Sequence, residues 1–455
     1  MIQLDIRNLK MLNKSSDYSQ SRTYDAYNKN QVKVMCLGDK QVWPKLEGYI
    51  TLTSEGTTSL LYQPSASYRK PYLEYSYDTV TWSEFLEDTT LEYDVENPLY
   101  LRGKNNVDFS SYKGLSSSTK HTIFTFTGDR TGVNGSVMYL LNYDRLSNVV
   151  PQRAFYGLFY GQELLTHGPD LTATYLYEYA YAHMFNGCTA LEEVPQISVP
   201  EYAFEGTFQS MFAYCTSLTE GILLKPVNTT LTSYLYQSTF YGCTSLTSMQ
   251  TNFESISACN PYCFENTFNS CTALEDISWF KINVTYNLAD NCFKGTFKNC
   301  TSLTYVPDIQ ATYIKNSSFS NTFEGCTSLV TAPKIISTHI GPKGCFEMFK
   351  NCTSLTSAPL VGPETLSVNG TDGTQCYENM FYGCSNLNYV VLKCHKQLAT
   401  NTVNNYFKNW LYGVSETGTL VTCNDFNDLS ASLVCPDGWS ISKTNLTGYS
   451  QCQPK

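Results

Sequence analysis

A Phe, three residues on a Cys, and three residues further a Leu: this skeleton recurs eight times between residues 185 and 387. The copies run Phe185-Cys188-Leu191, Phe212-Cys215-Leu218, Phe240-Cys243-Leu246, Phe268-Cys271-Leu274, Phe297-Cys300-Leu303, Phe323-Cys326-Leu329, Phe349-Cys352-Leu355 and Phe381-Cys384-Leu387. Successive Cys residues are 27, 28, 28, 29, 26, 26 and 32 positions apart. A period in the high twenties with a fixed apolar skeleton is the mark of a solenoid of the leucine-rich type. One such turn cannot bury its own apolar side, so neighbouring turns bury it between them.

Within each repeat a ring stands seven residues before the Cys: Tyr181, Phe208, Tyr236, Phe264, Phe293, Phe319 and Tyr377, with Phe346 one residue tighter in the Cys352 repeat. That ring and the Phe lie four apart, which predicts a short helix with both on one face. A Cys-Thr-Ser-Leu corner follows, where hydroxyls can bond turn backbone. A short extended run such as Leu303 to Ile309 completes the repeat, and Pro195, Pro307, Pro333 and Pro359 end or roughen it because proline donates no ladder bond. At ~4.8 Å between adjacent strands, eight turns predict a stack roughly 40 Å long. The segment at Phe155 and Phe159 keeps the pattern but has Gln162 in place of Cys, as expected of a capping repeat.

The flanks read differently. In residues 1–48 the stretch from Gln31 to Pro44 predicts a β-hairpin turning at Gly38-Asp39, which is marginal alone and suited to docking on something else. Residues 49–127 alternate over short strands separated by Gly, Asn and Ser, which predicts a β-sandwich with Trp82 in its core. Residues 128–153 form a junction, 154–394 the repeats, and 395–455 a C-terminal cap containing a helix near 406–413. The expected fold is therefore mixed α+β. A leucine-rich-repeat solenoid, with a short helix and a short strand per repeat, follows a small all-β sandwich and an N-terminal hairpin attachment segment.

The 18 cysteines would suggest disulfides in a small secreted chain, but here most fall in two periodic columns, the second being Cys263, Cys292, Cys345 and Cys376. Periodic Cys in a solenoid reads as a buried thiol stacked on its equivalent. Paired ligand spacings such as CxxC are absent, so neither zinc nor any other cofactor is expected. The start, from Met1 to Lys10, has no apolar core of a signal peptide, and no apolar run is long enough to span a bilayer. The expectation is a chain that folds where it is made, without membrane insertion. With 30 basic and 40 acidic residues, the net charge of −10 argues against nucleic acid as a partner.

Signs of catalysis are weak. His121, His167, His183, His339 and His395 sit in no metal or triad motif, and the adjacent Cys394-His395 pair reads as structural. Glu192-Glu193 and Glu275-Asp276 could be paired acids of a glycosidase. The equivalent positions after other repeat leucines, however, are Thr247-Ser248, Thr304-Tyr305, Thr356-Ser357 and Asn388-Tyr389. Such variation at one solvent-facing place predicts a recognition face and no enzyme.

The repeat, in forms such as MFKNCTSLTSAPLV and TFEGCTSLVTAPKI, resembles the BspA-type leucine-rich repeat over about residues 154–394. That family includes bacterial surface adhesins and virion proteins of tailed phages of gut bacteria, crAss-like phages among them. The flanking CLGDKQVWP block, the EYSYDTVTWSEF and LYLRGKNN stretches and the C-terminal NYFKNWLYGVSETGTLV resemble the phage versions. The resemblance implies a fibre, tip or decoration protein of the virion, assembled in the bacterial cytoplasm. Other virion proteins would hold it through Leu37, Gly38, Asp39, Val42 and Trp43, and a host surface protein or glycan would be its ligand. By analogy with phage appendages it would be a homotrimer. The alternative is a bacterial cell-surface adhesin binding host proteins.

Overall fold

The computed structural model describes residues 35–37, 40–43, 48–64, 70–106, 109, 121–143, 147–227, 230–337, 339–361, 374–392, 405–422 and 435–443. Residues 1–48 and 49–455 form two separate units. In the first, β1 (Met35–Leu37) and β2 (Lys40–Trp43) pair antiparallel, with Leu37 opposite Lys40. The turn residues Gly38 and Asp39, together with Cys394, His395, Cys423 and Cys452, lie outside the described residues.

The second unit opens with two facing sheets. The strands are β3 (Ile50–Ser54), β4 (Thr58–Gln63), β5 (Leu73–Ser76), β6 (Ser83–Glu84), β7 (Thr90–Tyr93), β8 (Leu99–Gly103), β9 (Ile123–Gly128) and β10 (Thr131–Asn134). One sheet has β10-β3-β8-β5-β6 and the other β7-β4-β9. Period-two alternation buries Ile50, Leu52, Leu60, Tyr62, Leu99, Leu101 and Phe124 between them. Trp82 is not in this core: it lies half-buried outside it, against Arg102. Strand β10 pairs antiparallel with β3 on one side and parallel with the strand Leu165–His167 on the other. Sandwich and repeats thus share one hydrophobic core.

The repeats are a β-solenoid, and the expected helix is absent. Where it was predicted, from Tyr179 to Cys188, the N–H groups of Tyr179, Tyr181, His183, Phe185 and Gly187 donate to the carbonyls of Glu205, Thr207, Gln209, Met211 and Ala213 in the next turn, at 2.8–3.1 Å. The intervening N–H groups of Ala182, Met184, Asn186 and Cys188 donate three residues back, to Tyr179, Tyr181, His183 and Phe185. An α-helix would send every N–H along its own axis. Here alternate donors stitch the turn to its neighbour and the rest close tight local turns, so the backbone is satisfied by two routes.

The device that prevents the helix is a positive φ at every fourth residue. Tyr179, His183 and Gly187 have it, as do Asn291, Gly295 and Asn299, then Ser317, Asn321 and Gly325, and the pattern runs from Arg153 to Gly413. Right-handed helix geometry excludes such residues. A four-residue period and a 3.6-residue helix both put i and i+4 on one face. That is why the ring-to-Phe spacing could not tell them apart. The stretch 406–413, also read as a helix, is another of these turns, and Tyr377, Asn379, Phe381 and Gly383 donate to it.

Two ring columns fill the solenoid. The Phe column from Phe159 to Phe381 stacks with centroids 5.3–5.7 Å apart and planes within 2–12°. The second column runs Phe155, Tyr181, Phe208, Tyr236, Phe264, Phe293 and Phe319. It breaks at the Cys352 repeat, where Cys345 takes the fully buried place and Phe346 is left half-buried. The extended runs pair parallel, for example Glu220–Leu223 with Ser248–Thr251, and Tyr389–Leu392 with Gly418–Thr422. Pro359 lies within the strand Ser357–Val361 at its register shift against Tyr389–Leu392.

At three places a glycine packs on an asparagine of the preceding turn, for a steric reason. A Cβ on Gly325, whose φ is 76°, would lie 2.4 Å from Oδ1 of Asn299 in the preceding turn. Gly295 stands in the same relation to Asn266, and Gly383 to Asn351. Gly325→Ala is expected to destabilise the chain by about 1–3 kcal/mol, read as a lower urea midpoint; an unchanged midpoint would contradict the proposed packing.

Candidate functional site

Stacking the repeats sets the two residues after each Leu in rows along one face. The backbone register places Glu220 beside Ser248, Asp276 beside Tyr305, Thr331 beside Ser357, Ser357 beside Tyr389, and Tyr389 beside Thr419. Glu192, Glu193, Thr247, Ser248, Glu275, Asp276, Thr304, Tyr305, Thr356, Asn388 and Tyr389 are exposed, and Ser357 is half-buried. Thr219, Glu220, Val330 and Thr331 occupy the same rows. The rule of two residues after the Leu applies to them equally, but neither pair stood out by residue type.

The first member of each pair belongs to the scaffold. The N–H of Thr247 donates to the Thr219 carbonyl at 2.9 Å, that of Thr304 to Glu275 at 3.2 Å, that of Thr356 to Val330 at 2.8 Å and that of Asn388 to Thr356 at 3.1 Å. The Thr247, Thr304 and Thr356 hydroxyls donate to the same carbonyls as their own N–H groups. The second member projects beyond this ladder, with Tyr305 56% and Tyr389 42% exposed. Glu192 is engaged elsewhere: Arg130 at the end of the sandwich bonds its carboxylate and also lies 3.8 Å from Glu55. The rows grade along the axis, from Glu193, Glu220, Glu275 and Asp276 at one end to Tyr305, Thr331, Ser357 and Tyr389 at the other.

The turn side of the solenoid is different, because its polar side chains satisfy one another. Gln237 donates to Glu265 at 2.6 Å, and Lys294 reaches the same carboxylate at 3.1 Å. Lys298 pairs with Glu324 at 2.7 Å, Asn321 bridges Glu324 and Glu347, and Lys350 binds Glu347 at 3.0 Å. A surface whose groups are matched turn to turn offers fewer unfilled partners to a ligand than the open rows.

The repeated thiol is structural. Each column Cys donates its S–H to the carbonyl of the Phe in the preceding turn, from Cys188 to Phe159 through Cys384 to Phe349, at 3.0–3.2 Å. Gln162 replaces Cys where the neighbour is a sandwich strand: its Oε1 accepts the Phe126 N–H at 2.8 Å, a bond no thiol could make as well. The repeat cysteines from Cys188 to Cys384 among the described residues, and Cys435, are free and buried. Burial pushes the Cys243 thiol up to about 12, far from the thiolate range a nucleophile needs. In the hairpin, Leu37 lies on β1 and Val42 and Trp43 on β2.

A thiol reagent at pH 8 is expected to leave Cys188, Cys243 and Cys326 unmodified in the folded chain and to label them on denaturation, as peptide mass mapping would read. Rapid labelling of the folded chain at these positions would refute their burial. His183 generates a pH prediction. It lies 5.1 Å from the Tyr156 ring and near His121, and burial first, then His121, lowers its pKa to about 4 from 6.5. A folded pKa below the unfolded value means the unfolded chain takes up the proton first. Stability is then lost as pH falls from about 6.5 towards 4. Urea midpoints across that range should fall less for His183→Gln than for the parent chain, and parallel curves would exclude the contribution. No protein-family model, curated protein or solved structure matches the chain.

Proposed function

We propose that the chain is a structural protein of a phage particle that displays its solenoid for recognition of the host surface. The observation that carries this reading is the open pair of rows. Scaffold positions repeat from turn to turn, whereas the adjacent outward positions vary, and among them the Tyr305 and Tyr389 rings project to solvent. Rigid spacing of such side chains lowers the ordering cost of binding, and exposed Tyr beside small hydroxyl residues is the chemistry of adaptable protein surfaces for recognition. The ligand is a host surface protein or glycan. The hairpin unit at residues 35–43 docks on other virion proteins through Leu37, Gly38, Asp39, Val42 and Trp43, and the assembled form is a homotrimer. In this reading the chain is a binding protein with no catalytic step.

Binding of the purified chain to host cells is expected to weaken about tenfold or more when Tyr305→Ala and Tyr389→Ala are combined, since buried aromatic anchors carry much of an interface's free energy. Adhesion equal to that of the parent would remove the rows from the mechanism. Deleting residues 1–48 should abolish incorporation into particles while leaving cell binding intact; undiminished incorporation would end the attachment role. Immunogold label on the bacterial envelope and none on particles would replace the virion reading with that of a cell-surface adhesin.

A further inference from the structure

The outer face of the sandwich carries a constellation that the solenoid reading does not use. Register places Glu84 opposite Glu74, and Glu74 opposite Arg102, across strands β6, β5 and β8. Directly opposite residues project to one side of a sheet. Their neighbours Leu73, Leu99 and Leu101 point into the core, so Glu74, Tyr100 and Arg102 point away from it.

Arg102 is held in a cage. Its guanidinium carbon lies 3.8 Å from the centre of the Trp82 ring and 4.0 Å from that of Tyr143. Its Nε donates to Glu74 Oε2 at 2.6 Å. Among the described residues this is its only hydrogen bond, which leaves the Nη donors available. Tyr49 extends the cage, with its ring 5.8 Å from Trp82 and 5.1 Å from Tyr100. All four rings remain partly exposed.

A cross-strand ion pair alone would staple β5 to β8. It gives no reason to hold the guanidinium against two half-exposed rings, Trp82 and Tyr143, with Tyr49 and Tyr100 continuing the aromatic surface beyond Trp82, and with the terminal donors unbonded among the described residues. Two carboxylates stand against one cation, so an anionic ligand meets net repulsion. Donors on Arg102 next to acceptors on Glu74 and Glu84 match the vicinal hydroxyls of a sugar, and the rings match its C–H faces. We propose that this face binds a neutral saccharide, with Trp82, Tyr100 and Tyr49 as the stacking surface and Arg102, Glu74 and Glu84 as the hydroxyl-binding groups. The site is independent of the solenoid rows.

The full chain would be titrated by calorimetry with neutral oligosaccharides of hexoses and N-acetylhexosamines, and in parallel with uronate- and sialate-containing ones. Saturable binding of a neutral member is expected. Tyr100→Ala and Arg102→Lys should each weaken it about tenfold, the scale of one lost ring or hydrogen-bond contact. Tyr100→Ala removes only a half-exposed ring, so an unchanged melting temperature separates lost binding from lost folding even if Arg102→Lys disturbs the sheet. The proposal is overturned if no neutral saccharide binds, if only acidic ones do, or if Tyr100→Ala binds as the parent does.

Discussion

Everything in the repeat region depends on one backbone arrangement: alternate N–H groups of each turn segment donate to the next turn, while the others close local turns. A buried backbone must pair all its donors and acceptors. This arrangement does so and at the same time fixes the distance between turns. The ring columns, the thiol column and the outward rows inherit their spacing from it. The local cost is a positive φ at every fourth residue, carried by Gly, Asn and Ser and also by Tyr179, Tyr234 and Tyr262, where L side chains are strained. Such strain persists because neighbouring turns bond the segment on both sides.

Side chains then complete the ladder. The Phe carbonyl accepts the N–H of its own repeat's Cys and the S–H of the next, as Phe185 does from Cys188 and Cys215. Thr239, Thr267, Thr296 and Thr322 perform the same service for the second ring column, donating to Phe208, Tyr236, Phe264 and Phe293. Cys and Thr are thus equivalent in role, each a small side chain whose short donor reaches one carbonyl. The thiol's chemistry is incidental to this, which fits its burial and its high pKa.

The molecule divides its surface by how far polar groups satisfy one another. On the turn side, Gln237, Glu265, Lys294, Glu324 and Glu347 are matched across turns. In the rows after each Leu, the backbone and the Thr hydroxyls are matched, Asp276 accepts from Ser278 and Ser357 bonds Thr331, while the Tyr305 and Tyr389 rings project to solvent. The sandwich repeats the contrast on a smaller scale, with Arg102 bonded through Nε and, among the described residues, open at Nη. Both places suggested for recognition share this combination of a fixed frame and unfilled donors or rings.

The sequence by itself determined the period, the inward Phe, Cys and Leu columns, the antiparallel pairing of residues 35–43, the all-β character of the described residues within 49–127 and the solvent exposure of the rows after each Leu. These follow from spacing and alternation, which survive any local conformation that keeps i and i+4 together. It could not decide between a helix and a chain of turns, because Tyr181 and Phe185 share a face in both. The answer came from hydrogen bonds between residues some 26 positions apart, such as Phe185 to Met211. Nor could it show that Arg130 engages Glu192, that Gln162 serves Phe126, or that Trp82 leaves the core to cage Arg102. Each of these joins segments distant in the chain, and only the stacking of one turn on the next, and of the solenoid on the sandwich, brings them together.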